Sequence, residues 1–295
     1  MKLQTVVLTG TLLALPSLLQ AQSPSFTGHY VPGVEGIKGA SLPPPGFYLR
    51  DYNVFYTADR YNLPNGHEAS MDFDAFVYAN VIRGIWVSDW QVLGGNFVMD
   101  AMVPLISTDL EVNGRSDSEF GFGDIYVEPA AIAWHGTQWD AALGYSLWMP
   151  TGESKPNSAE PGKGFWGQML TAGGTVYFDA EKTWALSLLN RYEFNQEEDS
   201  SDITPGDQWT LEFGISKSVM PTVEVGLVGY YQLQTTKDSG TNASRERDQV
   251  LAFGPEVSVL CPQLGLFTSL RYNFEVLAED RPQGQTITLT LTKAF

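Results

Sequence analysis

This chain of 295 residues has very little cysteine, histidine or positive charge, and each shortage excludes a class of protein. Cys261 is the single cysteine, so no disulfide can form within the chain. It stands before Pro262 in a short turn and reads as incidental. His29, His67 and His135 are the only histidines, and none has the spacing of a metal-ligand pair. There is no nucleophile elbow, and Gly121-Phe-Gly123 lacks the rest of a dinucleotide fingerprint. These absences point away from an enzyme, a metal centre and any cofactor. Lys and Arg number 17 against 34 Asp and Glu, a net charge of -17. A nucleic-acid partner needs Lys and Arg to neutralise its phosphates, so this balance argues against one. Beyond Ala21 no apolar run approaches the roughly 20 residues of a spanning helix. If the protein crosses a membrane, it does so with strands.

What is present agrees with export. Met1-Lys2 is basic, Val6 to Leu19 is apolar, and Leu19-Gln20-Ala21 is a plausible cleavage site. Residues 1–21 are therefore expected to be a signal peptide. Pro16 and the short apolar stretch argue against a membrane anchor, and no cysteine follows the site to carry a lipid. Aromatic residues make up 13% of the chain, which suits a β-protein with aromatic girdles, although a large soluble β-domain could match it.

The last ten residues carry the sharpest pattern. Ile287, Leu289, Leu291 and Phe295 fall on one face of an extended strand, and Thr286, Thr288, Thr290 and Thr292 on the other. A period of two means one greasy face and one wet face. This fits a membrane barrel or the last strand of a soluble sandwich, and the rest of the chain decides between them. Strand-like runs recur at about 47–57, 70–86, 92–107, 120–134, 139–149, 166–179, 183–195, 208–218, 222–235, 248–260, 264–277 and 285–295. Short connections at Ser88-Asp89, Gly136-Thr137, Glu181-Lys182, Met220-Pro221 and Pro262-Gln263 interleave with long polar ones at 58–69, 109–119, 152–164, 196–207 and 236–247. A shorter polar bend lies at 279–284. Strict alternation of short turns and long loops is the habit of an outer-membrane barrel, and a Greek-key sandwich has no reason to keep it. The expected fold is an all-β, antiparallel, up-and-down transmembrane barrel of about 12 strands over 47–295, with periplasmic short turns.

Gly121-Phe-Gly-Asp124, Ile125-Tyr-Val-Glu-Pro129, Leu147-Trp-Met-Pro-Thr-Gly152 and the Gly164 to Phe178 segment resemble the transporter family of the meta-cleavage phenol-degradation pathway. The resemblance covers roughly Gly46 to Phe295. It implies an outer-membrane barrel similar in concept to the channels for hydrophobic molecules, with small hydrophobic or aromatic solutes as cargo. It also implies that Phe295 is an assembly signal for the barrel-assembly machinery, and that lipid and lipopolysaccharide surround the protein. No catalytic motif comes with it.

The polar faces carry Asp72, Asp74, Asp100, Asp124, Glu128, Arg191, Glu193, Glu212, Glu224, Glu256, Arg271 and Glu275. A charge facing lipid costs roughly 2–4 kcal/mol for Arg or Lys at the midplane, so these side chains are expected inside. They could line a cation-biased path, or close the lumen with salt bridges from Arg191 and Arg271 to neighbouring carboxylates. Tyr126, Trp148 and Tyr230 share the inward faces and could touch an aromatic solute or simply pack. Residues 22–46 are too rich in Gly and Pro for a strand. They are expected to fold into the barrel as a plug or to hang from it as a periplasmic tail. The alternative to a channel is a structural or surface-binding barrel with no open path.

Overall fold

The computed structural model describes residues 28–155, 158–241 and 243–295. The expected signal peptide and residues 22–27 lie outside the described residues. Among the described residues thirteen strands form: β1 (Gly46–Asn62), β2 (Phe73–Val92), β3 (Gly95–Val112), β4 (Arg115–Phe122), β5 (Ile125–His135), β6 (Trp139–Met149), β7 (Gly167–Tyr177), β8 (Trp184–Asn195), β9 (Gln208–Met220), β10 (Val223–Gln234), β11 (Gln249–Cys261), β12 (Leu266–Glu279) and β13 (Arg281–Ala294). Consecutive strands pair antiparallel, except that β4 and β5 both pair with β3, one above the other. They are two halves of one wall strand. β1 pairs with β13 and β2 with β3, so the sheet closes on itself as a barrel of twelve wall strands. Closure gives the barrel strands a neighbour on each side, which is what lets a sheet live in lipid; β4, in the part that protrudes, pairs with β3 alone.

The alternation in the sequence becomes an inverted molecule. On β13, Ile287 is 46% exposed on the outside while Thr288 is fully buried inside. Outside, Phe47, Trp86, Trp139, Trp184 and Phe267 ring the short-turn end, and Phe76, Phe122, Trp166, Phe194 and Phe274 ring the other. These are the two aromatic girdles of a membrane barrel. Inside, the buried residues are largely polar or charged. No helix among the described residues is long and apolar enough to cross a membrane.

Several connections differ from expectation. The expected turn at Ser88-Asp89 is strand, and the chain reverses at Leu93-Gly94, with φ of 50° and 79°. The expected loop at 109–119 is a protruding hairpin closed by Asn113-Gly114, with φ of 51° and 74°. Both are two-residue turns with consecutive left-handed residues, the geometry that matches strand twist. Asp280, at φ 54°, is the one residue between β12 and β13, whose shared ladder ends earlier at Phe274↔Gln285. The expected run at 120–134 is broken at Gly123-Asp124, where the β3 ladder stops at Met102↔Tyr126 and resumes at Leu105↔Phe122.

One expectation about faces is corrected. Asp72 and Asp74 are exposed, because Phe73 and Ala75 take the buried positions where β2 rises beyond the membrane. On β1 the inward face holds Tyr52 and Val54, so Asp51 and Asn53 share the outer face with Leu49 and Phe55. There they satisfy each other: Asn80 donates to Asp51 at 2.6 Å, and Tyr78 donates to Asn53 at 2.8 Å.

Candidate transport path

Residues 28–45 run inside the barrel. At the short-turn end Tyr48 donates its hydroxyl to the Pro44 carbonyl at 2.8 Å, and Ser41 donates to Thr175 at 2.9 Å. Higher up, Lys38 pairs with Glu224 at 2.8 Å, and the Ile37 N–H donates to Glu256 at 2.8 Å. His29 lies nearest the loop end. A chain with no secondary structure leaves its backbone donors free, and the wall carboxylates accept them. Glu193 accepts the N–H of His29 at 2.8 Å and that of Tyr30 at 3.1 Å, and Glu212 accepts that of Glu35 at 3.1 Å.

Glycine makes the close fit possible at two positions. Gly33 and Gly36 have φ of 83° and 65°, where side chains are strained. A Cβ on Gly36 would lie 2.0 Å from Glu256 Oε2 and 2.4 Å from Arg271 Nε. Arg271 itself donates to Glu256 at 2.9 Å and to the Gly33 carbonyl at 2.8 Å.

Two groups of side chains bind the segment to the wall, and a third joins wall residues to one another. At the loop end, the His29 ring lies 3.3 Å from Asp124 and 2.8 Å from Glu193, stacked on Trp148 at 5.4 Å and edge-on to Phe165 at 4.5 Å. Asp124, set in the strand break, also accepts the N–H groups of Gly152 (3.0 Å) and Lys163 (2.8 Å), tying down the loop between β6 and β7. Burial lowers the Lys163 amine to about 8, against the pull of Asp124 and Glu193. In the middle, Glu35 meets Arg83 at 2.7 Å, Arg50 at 2.8 Å and Arg191 at 3.4 Å. Tyr30 bridges Arg191 and Glu212 with its hydroxyl, and its ring lies under the Arg191 guanidinium at 4.2 Å. Arg83 forks onto Asp100 at 2.8 and 2.7 Å, with Glu128 at 3.9 Å. On the far side, Tyr230 and Tyr56 donate to Glu275 at 3.0 and 3.2 Å.

All the inward candidates Asp100, Asp124, Tyr126, Glu128, Trp148, Arg191, Glu193, Glu212, Tyr230, Glu256, Arg271 and Glu275 are buried in the lumen. The first two groups gather most of them; Tyr230 and Glu275 stand apart with Tyr56, and Glu256 with Arg271. Tyr126, Trp148 and Met169 form one apolar cluster with Tyr30. The sequence reading missed His29, Tyr30, Glu35, Arg50 and Arg83. Arg83 was hidden in the continuous run Val81 to Val87, although its shared parity with Ile85 and Val87 places it inside. Among the described residues no cluster of His, Cys, Asp and Glu could hold a metal ion.

A closed up-and-down barrel with two aromatic girdles and a charged interior defines the outer-membrane β-barrel class. Residues 58–291 match the family described as "Putative MetA-pathway of phenol degradation", and the chain belongs to that family. An outer membrane channel from Pseudomonas putida F1 superposes with a TM-score of 0.78 at 15% identity, over 90% of this chain and 100% of that one. The translocator domain of the autotransporter NalP from Neisseria meningitidis superposes with a TM-score of 0.51 at 12% identity, over 87% and 91% of the two chains. Both likenesses are of fold. No curated protein matches in sequence.

Proposed function

We propose that the protein is a channel of the outer membrane that passes small hydrophobic or aromatic molecules when residues 28–45 leave the lumen. The family and the fold support a channel rather than an enzyme. One observation carries the choice of cargo. The wall rings Tyr126 and Trp148 stand 4.9 Å apart beside Met169, and the segment covers them with two rings of its own, Tyr30 and His29. A surface that holds rings when closed offers the same contacts to an aromatic solute when uncovered. Among the described residues the Tyr126 hydroxyl and Trp148 indole N–H are buried there without hydrogen-bond partners and could serve a polar substituent of the solute. Export as an unfolded precursor, contact with lipopolysaccharide through the outer loops, and recognition of Phe295 by the barrel-assembly machinery belong to the same reading. Phe295 is 73% exposed at the end of β13, as such a signal needs to be.

The test is uptake of a radiolabelled aromatic acid and a sugar acid of similar size into vesicles with a lipopolysaccharide outer leaflet. Wild-type protein is expected to speed the aromatic compound selectively, and Trp148→Ala to reduce that selectivity. The dense pairing of the segment with the wall favours a second reading, a structural barrel without a path. No gain over protein-free vesicles for either solute would establish it instead.

A further inference from the structure

Arg50 and Arg83 stand directly opposite each other on β1 and β2, both facing the lumen. Like charges in that register repel unless an anion lies between them. The wall supplies carboxylates to Arg83 alone: Asp100 takes its Nε and Nη2, and Glu128 lies 3.9 Å away. The Nη1 groups of both arginines turn instead to Glu35, at 2.8 and 2.7 Å. Arg191 reaches the same carboxylate from β8 across the barrel at 3.4 Å, and the Tyr52 hydroxyl donates to it at 3.3 Å. Four donors from three wall strands thus converge on one carboxylate whose side chain is 5% exposed. Planar guanidinium forks are the usual protein answer to a carboxylate.

The carboxylate is not part of the wall. Asp100, Glu212 and Glu256 are fixed on strands, whereas Glu35 rides on a segment with no strand pairing. Without Glu35, the remaining partners of Arg50 among the described residues are the hydroxyls of Thr292 and Tyr52. We propose that Arg50, Arg83 and Arg191, with Tyr52, form a carboxylate-binding site, that Glu35 is its internal ligand, and that an arylcarboxylate displaces Glu35 and so releases the segment. The proposal rests on the channel reading for its purpose and narrows the cargo.

The ring requirement comes from what surrounds the forks. The Arg191 guanidinium stacks on the ring of Tyr30, which departs with the segment. Arg83 lies 5.9 Å from the ring of Tyr126, which stays. An aromatic acid replaces both groups that leave, its carboxylate taking the place of Glu35 and its ring that of Tyr30. A neutral aromatic leaves Arg50 without a carboxylate among the described residues, and a short aliphatic acid leaves the ring position empty. Each substitutes for half of the segment's contacts.

The probes are benzoate, benzyl alcohol and acetate, added at pH 7.5 to the full-length protein in detergent. Lys38 sits inside the barrel, paired with Glu224, so trypsin reaches it only after release. Benzoate is expected to accelerate cleavage after Lys38, with benzyl alcohol and acetate far weaker at equal concentration. In Glu35→Gln the internal competitor is weakened, and benzoate binding by calorimetry is expected to tighten ~10-fold or more. Adding Arg50→Gln to that variant abolishes the gain. Heat-modifiable migration on gels shows whether each variant is folded, and if Glu35→Gln is not, the wild-type cleavage assay decides alone. Equal cleavage with benzoate and benzyl alcohol overturns the proposal, as does unchanged benzoate affinity in folded Glu35→Gln. Failure here with selective aromatic uptake into vesicles removes the carboxylate site and keeps the channel. Benzoate release of the segment without any solute uptake keeps the site and removes the channel.

Discussion

Arg271 shows how one side chain holds both the wall and the segment. It faces Glu256 directly across the β11–β12 ladder and reaches the Gly33 carbonyl with its remaining edge. Arg271→Ala leaves Glu256 buried with, among the described residues, only the Ile37 N–H, and removing one partner of a buried pair costs about 3–5 kcal/mol. The midpoint of the heat-modifiable gel transition is expected to fall in Arg271→Ala and to recover in large part in Arg271→Ala with Glu256→Ala. A double variant as weak as the single one would mean that the arginine acts by packing rather than charge. Such pairs were legible from the sequence because strand parity places both partners inside and registers bring them together. Glu35 was not legible. Its segment has no periodicity, so nothing in the sequence tells which wall residue each of its side chains meets.

The strands themselves were the readable elements, since each carries a lipid face and a lumen face that alternate. Their ends were not, because β2, β3 and β4 continue past the membrane, where polar residues extend a hairpin as readily as they form a loop. Asn113-Gly114 inside the supposed 109–119 loop was the overlooked signal. The β12–β13 turn offers a test at this scale. Burial first, then the neighbouring Asp248, Glu246 and Asp238, push the Asp280 carboxyl up to about 6. With the folded value raised, the stability it contributes is present below about pH 4 and is lost as pH rises through 6, so above that the ionised group weakens the turn. Asp280→Asn keeps a residue that tolerates the left-handed φ of 54° and removes the charge. The variant is expected to melt above wild type at pH 8 and level with it at pH 4. Equal melting at both would show that solvent already screens this cluster.

At the scale of the whole molecule, wall and segment are separate constructions that share one set of charges. The strand ladder closes through β1–β13 and β2–β3 without using any residue of 28–45. Deleting 28–45 therefore leaves the strand ladder's hydrogen bonding complete. It also lets water into the lumen, so Arg50, Glu193 and the other groups that lose segment partners become hydrated rather than buried and unpaired. That is why the loss of stability is expected to be smaller per broken contact than in Arg271→Ala, where the lumen stays filled. The emptied lumen keeps more carboxylates than arginines on its wall, with Asp124, Glu128, Glu193 and Glu275 among them. Water-filled and acidic, it is expected to conduct in planar bilayers at a level well above wild type and to prefer cations. Heat-modifiable migration checks that the truncated barrel is folded before conductance is compared. Equal conductance with and without the segment would mean that 28–45 does not block the path, and a folded but silent truncation would mean that the wall side chains close the lumen by themselves. In that second case the ion pairs of the wall, rather than the threaded segment, decide whether anything crosses.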